Sequence, residues 1–191
     1  MPNPKGNRTK MEPIRSLEDV KTIKKLLIDR PRDFALFVIG INTAFRASDL
    51  LNIKIGQVRH LKPGDDWETV ERKTQKRRRI TFNNACQKAV AQLLGTREYE
   101  NDDFLFQGQR GRLTVATVNR LVKGWCQTIN LKGNYGSHTL RKSFGYHQYR
   151  TFGVPLPDLM EIFNHSTQRQ TLEYLCIQDD DIRRIYMTNE L

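Results

Sequence analysis

His138-Thr139-Leu140-Arg141 is followed downstream by Asn164-His165 and then by Thr171-Leu172-Glu173-Tyr174. Two histidines, an arginine and a tyrosine hydroxyl thus succeed one another along one short chain. His138 and Arg141 are three residues apart, a spacing that turns both side chains to one side of a helical turn. Upstream lies Thr43-Ala44-Phe45-Arg46-Ala47-Ser48-Asp49-Leu50-Leu51, which sets a second arginine between two apolar runs. These residue types, in this order, suit phosphodiester chemistry that needs no metal.

The reason lies in what such a reaction demands. A phosphodiester under attack gains negative charge in a pentavalent transition state, and its bridging oxygen departs as an alkoxide unless it is protonated. Fixed cationic donors must spread the charge, and an acid must meet the leaving oxygen. A covalent nucleophile conserves the energy of the bond, so rejoining needs no ATP. Arg46 and Arg141 suit the first task, because guanidinium groups stay charged and match phosphate oxygens in pairs. Asp49, three residues after Arg46, is placed to pair with it.

Composition narrows the partner. The chain has 191 residues and a formal charge of +11, with an isoelectric point near 9.8 and a mean hydropathy of −0.64. An excess of cations of this size favours a polyanion, because neutralising phosphates releases counterions. No apolar run reaches the ~20 residues of a membrane helix, so a soluble, cytoplasmic protein is expected and no membrane partner. Cys86, Cys126 and Cys176 have no metal or redox spacing. An odd, unpaired set reads as reduced and intracellular, and their apolar neighbours read as buried packing. No HExxH, CxxC or glycine-rich phosphate loop occurs, and His60, His138, His147 and His165 form no ligand set. Neither a metal nor any other cofactor is expected.

Along the chain, residues 1–13 read as a flexible basic arm. Ser16 opens a helix with Asp19 completing a capping box; Val20, Ile23, Leu26 and Leu27 form its apolar stripe, and Pro31 ends it. A more uniformly apolar helix over about 33–43 is expected in mid-core, followed by Arg46 and a short helix with Asp49, Leu50 and Leu51. Val58–Leu61, Trp67–Lys73 and Arg77–Phe82 read as three strands of one small antiparallel sheet. Helices then follow over 84–94, after Thr114, over 138–152, over 157–164 and over 167–176. Residues 179–191, with Ile182, Ile185 and Met187, are expected as an amphipathic tail helix.

Taken together, the boxes around Arg46, His138-x-x-Arg141, His165 and Tyr174 resemble the catalytic domain of the tyrosine recombinases, the phage integrase family. The resemblance covers roughly 14–178. It implies an α+β, mainly helical domain with one small three-stranded antiparallel sheet, and site-specific cleavage and rejoining of double-stranded DNA through a 3′-phosphotyrosyl intermediate. It makes Tyr174 the nucleophile, since Thr171-Leu172-Glu173-Tyr174 matches the family's Thr-x-x-Tyr ending and His165 stands nine residues before it. Arg46, Arg141 and His165 would hold the phosphate, Asp49 would orient Arg46, and His138 would assist proton transfer. The run from Lys73 to Phe82 resembles the family's hairpin, whose first lysine protonates the departing 5′ oxygen. Lys73 takes that role here, with Lys76 as competitor. Lys76, Arg77, Arg78 and Lys142 are expected to touch DNA.

Two departures carry structural expectations. Asn164 stands where the family usually has glycine, and asparagine accepts left-handed backbone angles best among the other residues. Lys142 stands where histidine often follows the arginine. The resemblance further implies a homotetramer on DNA, bound to the nucleoid, with accessory DNA-bending proteins as further partners. The 179–191 tail would pack against a neighbouring protomer. Larger members carry a separate clamp domain before the catalytic one, so the chain reads either as a compact recombinase or as part of a longer integrase. A type IB topoisomerase, which swivels one strand with the same chemistry, and a DNA-binding regulator retaining the fold are the rival readings.

Overall fold

Helix α2 (Pro31–Thr43) runs through the middle of the main core. Ala35, Leu36, Phe37, Val38 and Ile39 are all buried along it, as its uniformly apolar sequence requires. The computed structural model describes residues 10–70 and 77–177. Before α2 comes α1 (Leu17–Leu27), whose Ser16 hydroxyl accepts from the backbone N–H groups of Glu18 and Asp19. Pro31 does more than end α1. It is the first residue of α2, a position where the missing N–H costs nothing and the fixed φ is already helical.

After α2 the chain runs through α3 (Ala47–Leu50), α4 (Ile55–Val58), β1 (Asp66–Val70), β2 (Arg77–Thr81) and α5 (Asn84–Leu94). The tiny hairpin β3 (Gln107–Gly108) and β4 (Gly111–Arg112) leads into α6 (Val115–Thr128), α7 (Thr139–Arg150), α8 (Leu156–Phe163) and α9 (Gln168–Leu175). The domain is mainly helical, as expected, but the sheet differs in detail. β1 and β2 pair antiparallel, Asp66 opposite Thr81 through Val70 opposite Arg77, and make a two-stranded sheet; β3 and β4 make another. The strand expected at Val58–Leu61 is replaced by α4 and the turn after it. A short apolar run is ambiguous between helix and strand. Here the Gln57 side chain accepts from the Lys54 backbone N–H at 2.8 Å, capping a helical turn.

Two glycines allow close packing around α7. A Cβ on Gly40 would meet Leu140 Cδ1 at 2.6 Å, so α2 and α7 touch backbone to side chain there. A Cβ on Gly145 would meet the Phe163 ring at 2.5 Å and Leu175 at 2.6 Å, which is how α8 and α9 come down onto α7. The buried side chains form a main core around α2, α5 and α6, and a small second cluster of Ala44, Leu159, Phe163 and Leu175. Tyr174 packs on the second cluster.

The segment ahead of α1 is anchored rather than free from Met11 onward. The Glu12 N–H donates to the Asn134 carbonyl at 2.8 Å, and the Ile14 N–H donates to Ser143 Oγ at 2.8 Å. His147 Nε2 lies 2.9 Å from the Ile14 carbonyl and its Nδ1 2.9 Å from Thr151 Oγ1. Burial holds the His147 imidazole below its ordinary value, and the Ile14 carbonyl opposes this only in part. The unfolded chain therefore takes up a proton at higher pH than the folded one. The stability His147 contributes is complete above about pH 6.5 and is lost as pH falls through the lower folded value. Melting temperature is expected to fall between pH 7.5 and 5, and to fall less steeply in His147→Gln. An identical slope in the variant would remove His147 as a source.

Candidate active site

Three helix exits shape the site. α2 ends at Ala44 (φ 51), α8 at Asn164 (φ 54) and α9 at Cys176 (φ 57), each in the left-handed region and none a glycine. At Asn164 the turn closes with the Asn164 N–H on the Glu161 carbonyl at 3.0 Å and the His165 N–H on the Met160 carbonyl at 2.8 Å. This double closure is the Schellman pattern, and the asparagine adopts the angles expected of it. It reverses the chain after α8, so that the His165 ring stacks on Phe163, with centroids 5.5 Å apart and planes 22° from parallel.

The exit at Ala44 serves two guanidiniums. Arg141 Nη1 donates to the Ala44 carbonyl and Nη2 to the Phe163 carbonyl at 3.3 Å, while its Cζ lies 4.7 Å from the Phe163 ring centroid. Both carbonyls belong to helix C-termini, where the macrodipole is negative and favours a cation. Arg141 is 3% exposed, so a charged side chain is held inside the protein by fixed dipoles. Arg78 is tied to the same turn through the Ala44 and Thr43 carbonyls, at 3.0 and 2.6 Å, and lies over the Phe45 ring.

Arg46 caps α3 two residues after that turn. Its Nη1 is 3.9 Å from Asp49 Oδ2 across one helical turn, with both side chains largely buried. Phe45, beside it, packs on Trp67 of β1 with centroids 5.4 Å apart, linking the sheet to the Arg46 turn.

Tyr174 sits at the centre of these groups. Its ring lies 5.2 Å from that of His165 at 74°, and 5.4 Å from that of Phe163. The hydroxyl oxygen is buried and makes no hydrogen bond of standard geometry to a described residue, yet it feels the neighbouring cations. Burial drives the phenol upward from its ordinary value; the Arg141 guanidinium pulls it down, and Arg46 does so more weakly. The His165 imidazole is held below its ordinary value, first by burial and then by Arg141 and Arg46. The four groups expected to meet a phosphate are therefore electrostatically coupled within one chain.

The other expected residues are placed differently. His138 is exposed at the N-terminus of α7, one turn before Arg141. Lys73 and Lys76 lie outside the described residues. Arg77 is exposed on β2. Arg78 is half-buried and braces the Ala44 turn. Lys142, expected at the DNA surface, is 5% exposed. Its Nζ is 3.3 Å from Cys176 Sγ and 4.9 Å from the Tyr174 ring centroid. One step past Arg141 on a helix turns it under α9 and away from solvent. Cys176, expected as buried packing, is only partly buried.

Thr171 is the functional residue whose role the sequence did not declare. It is fully buried, and its Oγ1 is 3.0 Å from His165 Nδ1. In the tautomer where the hydroxyl donates to Nδ1, a neutral His165 carries its proton on Nε2. Removing that hydroxyl frees the tautomer. Thr171→Val, nearly the same size, is expected to slow DNA cleavage about tenfold with little change in melting temperature. Single-turnover rates that match wild type would show that Thr171 only packs.

Comparison with known proteins places this arrangement. The family model described as "Phage integrase family" matches residues 16–180. Among curated proteins, the chain is 32% identical over 179 residues to "Probable integrase/recombinase YoeC" of Bacillus subtilis (strain 168), covering 92% of this chain and 95% of that one. It is 34% identical over 178 residues to "Tyrosine recombinase XerC" of Caldanaerobacter subterraneus subsp. tengcongensis, where it covers 88% of this chain but 49% of the other. Among solved structures, XerA recombinase superposes with a TM-score of 0.74 at 19% identity, over 99% of this chain and 68% of that one. XerH recombinase bound to palindromic difH substrate gives 0.73 at 20% identity, over 98% and 55%. The chain belongs to the phage integrase family, the tyrosine-type site-specific recombinases. It spans nearly the whole of one curated relative and about half of the other.

Proposed function

We propose that this protein cleaves and rejoins double-stranded DNA at specific sites by transferring a DNA 3′-phosphate to Tyr174, without metal or ATP. The observation that carries this reading is the buried Tyr174 hydroxyl, set beside His165 and electrostatically coupled to both Arg141 and Arg46. A scissile phosphate entering there meets two guanidiniums for its non-bridging oxygens. His165 donates from Nε2 to the same oxygens, with the Thr171 hydroxyl against its Nδ1. The Tyr174 phenol gives up its proton to water, its oxygen attacks phosphorus, the Tyr–O–P bond forms, and the bridging P–O5′ bond breaks. The 5′ oxygen then needs a proton, which Lys73 supplies, with Lys76 the alternative donor and His138 assisting proton transfer. Attack by a 5′ hydroxyl on the phosphotyrosine reverses these steps and reseals the strand.

Because nucleophile and cations come from the same chain, each protomer holds its own cleavage machinery, and exchange between two duplexes takes four protomers. The 179–191 tail, outside the described residues, is the segment assigned to neighbour contacts. The supporting experiment incubates the protein in EDTA with duplexes selected by binding from a random-sequence pool, then denatures it. A covalent protein–DNA adduct bearing the DNA 3′ end is expected. Tight, selective binding without any adduct would instead make the chain a DNA-binding regulator.

A further inference from the structure

Lys142 is placed oddly for an exposed DNA contact and equally oddly for core packing. It is 5% exposed, and an ammonium has three donors to satisfy. Among the described residues its hydrogen-bond partner is the Cys176 thiol at 3.3 Å, a weak acceptor. Burying a cation with so little hydrogen bonding is costly unless another group meets the charge. That group is the Tyr174 ring, whose centroid is 4.9 Å away.

The surroundings hold this contact in place. Cys176 closes α9 with a left-handed turn, the Ile177 N–H reaching the Leu172 carbonyl at 3.0 Å. The Cys176 thiol donates weakly to the Met11 carbonyl at 3.5 Å, and Arg15 Nη2 donates to the Cys176 carbonyl at 3.3 Å. The anchored segment before α1 thus pins the end of α9, and Lys142 rises from α7 between them. The groups facing Tyr174 are Arg141 and Lys142 from α7, Arg46 from the start of α3, His165 from the turn before α9, and Cys176 from its end.

We infer that Lys142 is a positioning residue for the nucleophile, its ammonium lying on the Tyr174 ring to orient it and to favour its phenolate. The electrostatics run the right way. A cation over an aromatic face is attracted by the ring's negative face, and loss of the phenol proton adds negative charge to that ring. The attraction is therefore stronger in the attacking form than in the resting one, which is the condition for lowering a barrier. Arg141 and Arg46 act on the oxygen and on the phosphate; Lys142 acts on the ring from below.

This inference rests on Tyr174 being the nucleophile, and its test separates the two. Cleavage of a nicked duplex is followed as a function of pH for wild type, Lys142→Met and Lys142→Gln. If wild type forms no adduct, the nucleophile assignment itself fails, and this inference is overturned with it. If it does, Lys142→Met is expected to cleave about tenfold more slowly at pH 7.5, with the rising alkaline limb moved up by about one pH unit. Lys142→Gln keeps a donor toward the thiol without the charge and is expected to show the same displacement, so either neutral variant that folds decides the matter. A merely structural lysine would change rate and melting temperature together and leave the limb where it is. An unmoved limb in the folded variants overturns the inference, whatever their rates.

Discussion

Tyr174→Phe is expected to abolish the covalent DNA adduct, a loss of at least about 10⁴-fold, because it removes the hydroxyl that forms the ester in the proposed reaction. DNA affinity is expected to stay within about twofold, since the cations assigned to the phosphate remain. The fold should be undisturbed as well. The phenylalanine ring keeps the packing against Phe163 and His165, and the hydroxyl it lacks is buried beside the Arg141 guanidinium. Melting temperature is thus expected to hold or to rise slightly. The measurement is a denaturing gel of protein and labelled duplex beside a melting curve. An adduct that persists in the variant would move the nucleophile to another tyrosine.

Arg141→Ala is expected to damage both chemistry and fold. The guanidinium draws down the Tyr174 phenol and is assigned to the phosphate. Losing one such preorganised donor slows a reaction by about 10²–10³. It also removes the donor that joins two helix ends, with Arg78 still on the Ala44 carbonyl and the Phe163 carbonyl losing the Arg141 bond. Together with the lost contact to the Phe163 ring, this is expected to cost about 3 kcal/mol of stability. Arg46→Ala, which removes the other guanidinium assigned to the phosphate, is expected to show a similar rate loss. Urea unfolding and single-turnover cleavage of both variants measure the two effects separately. Unchanged stability in Arg141→Ala would show that Arg141 does not brace the two helix ends.

Much of this architecture is legible in the sequence. Asn84–Leu94 and Val115–Thr128 begin where Asn83 and Thr114 cap them, because a cap is a local interaction. The bend at Asn164 follows from the same local logic. What is not legible depends on contacts between distant segments. Lys142 follows Arg141 directly, and nothing in that adjacency says that α9 will cover it. Arg78 stands in a run of basic residues on a strand, and only the Ala44 turn makes it a brace. The left-handed angle at Ala44 has no signal at all, since alanine is a poor choice for it on local grounds; two arginines receiving its carbonyl support it from outside. Thr171 is visible as part of a tyrosine-containing pattern, but its bond to His165 exists only once α8 and α9 are folded back on each other.

The separateness of the small cluster around Phe163 and Leu175 has a kinetic meaning. Tyr174 does not belong to the main core around α2, and the helix bearing it is sealed by a few side chains on α7 and α8 and by the anchored segment before α1. Opening this region exposes much less apolar surface than unfolding the domain, so it sits at the low-energy end of the protein's fluctuations. Backbone amides of α9 then exchange with solvent ahead of those of α2. The helix that carries the proposed nucleophile is expected to come away from its bed and return while the rest of the domain stays folded.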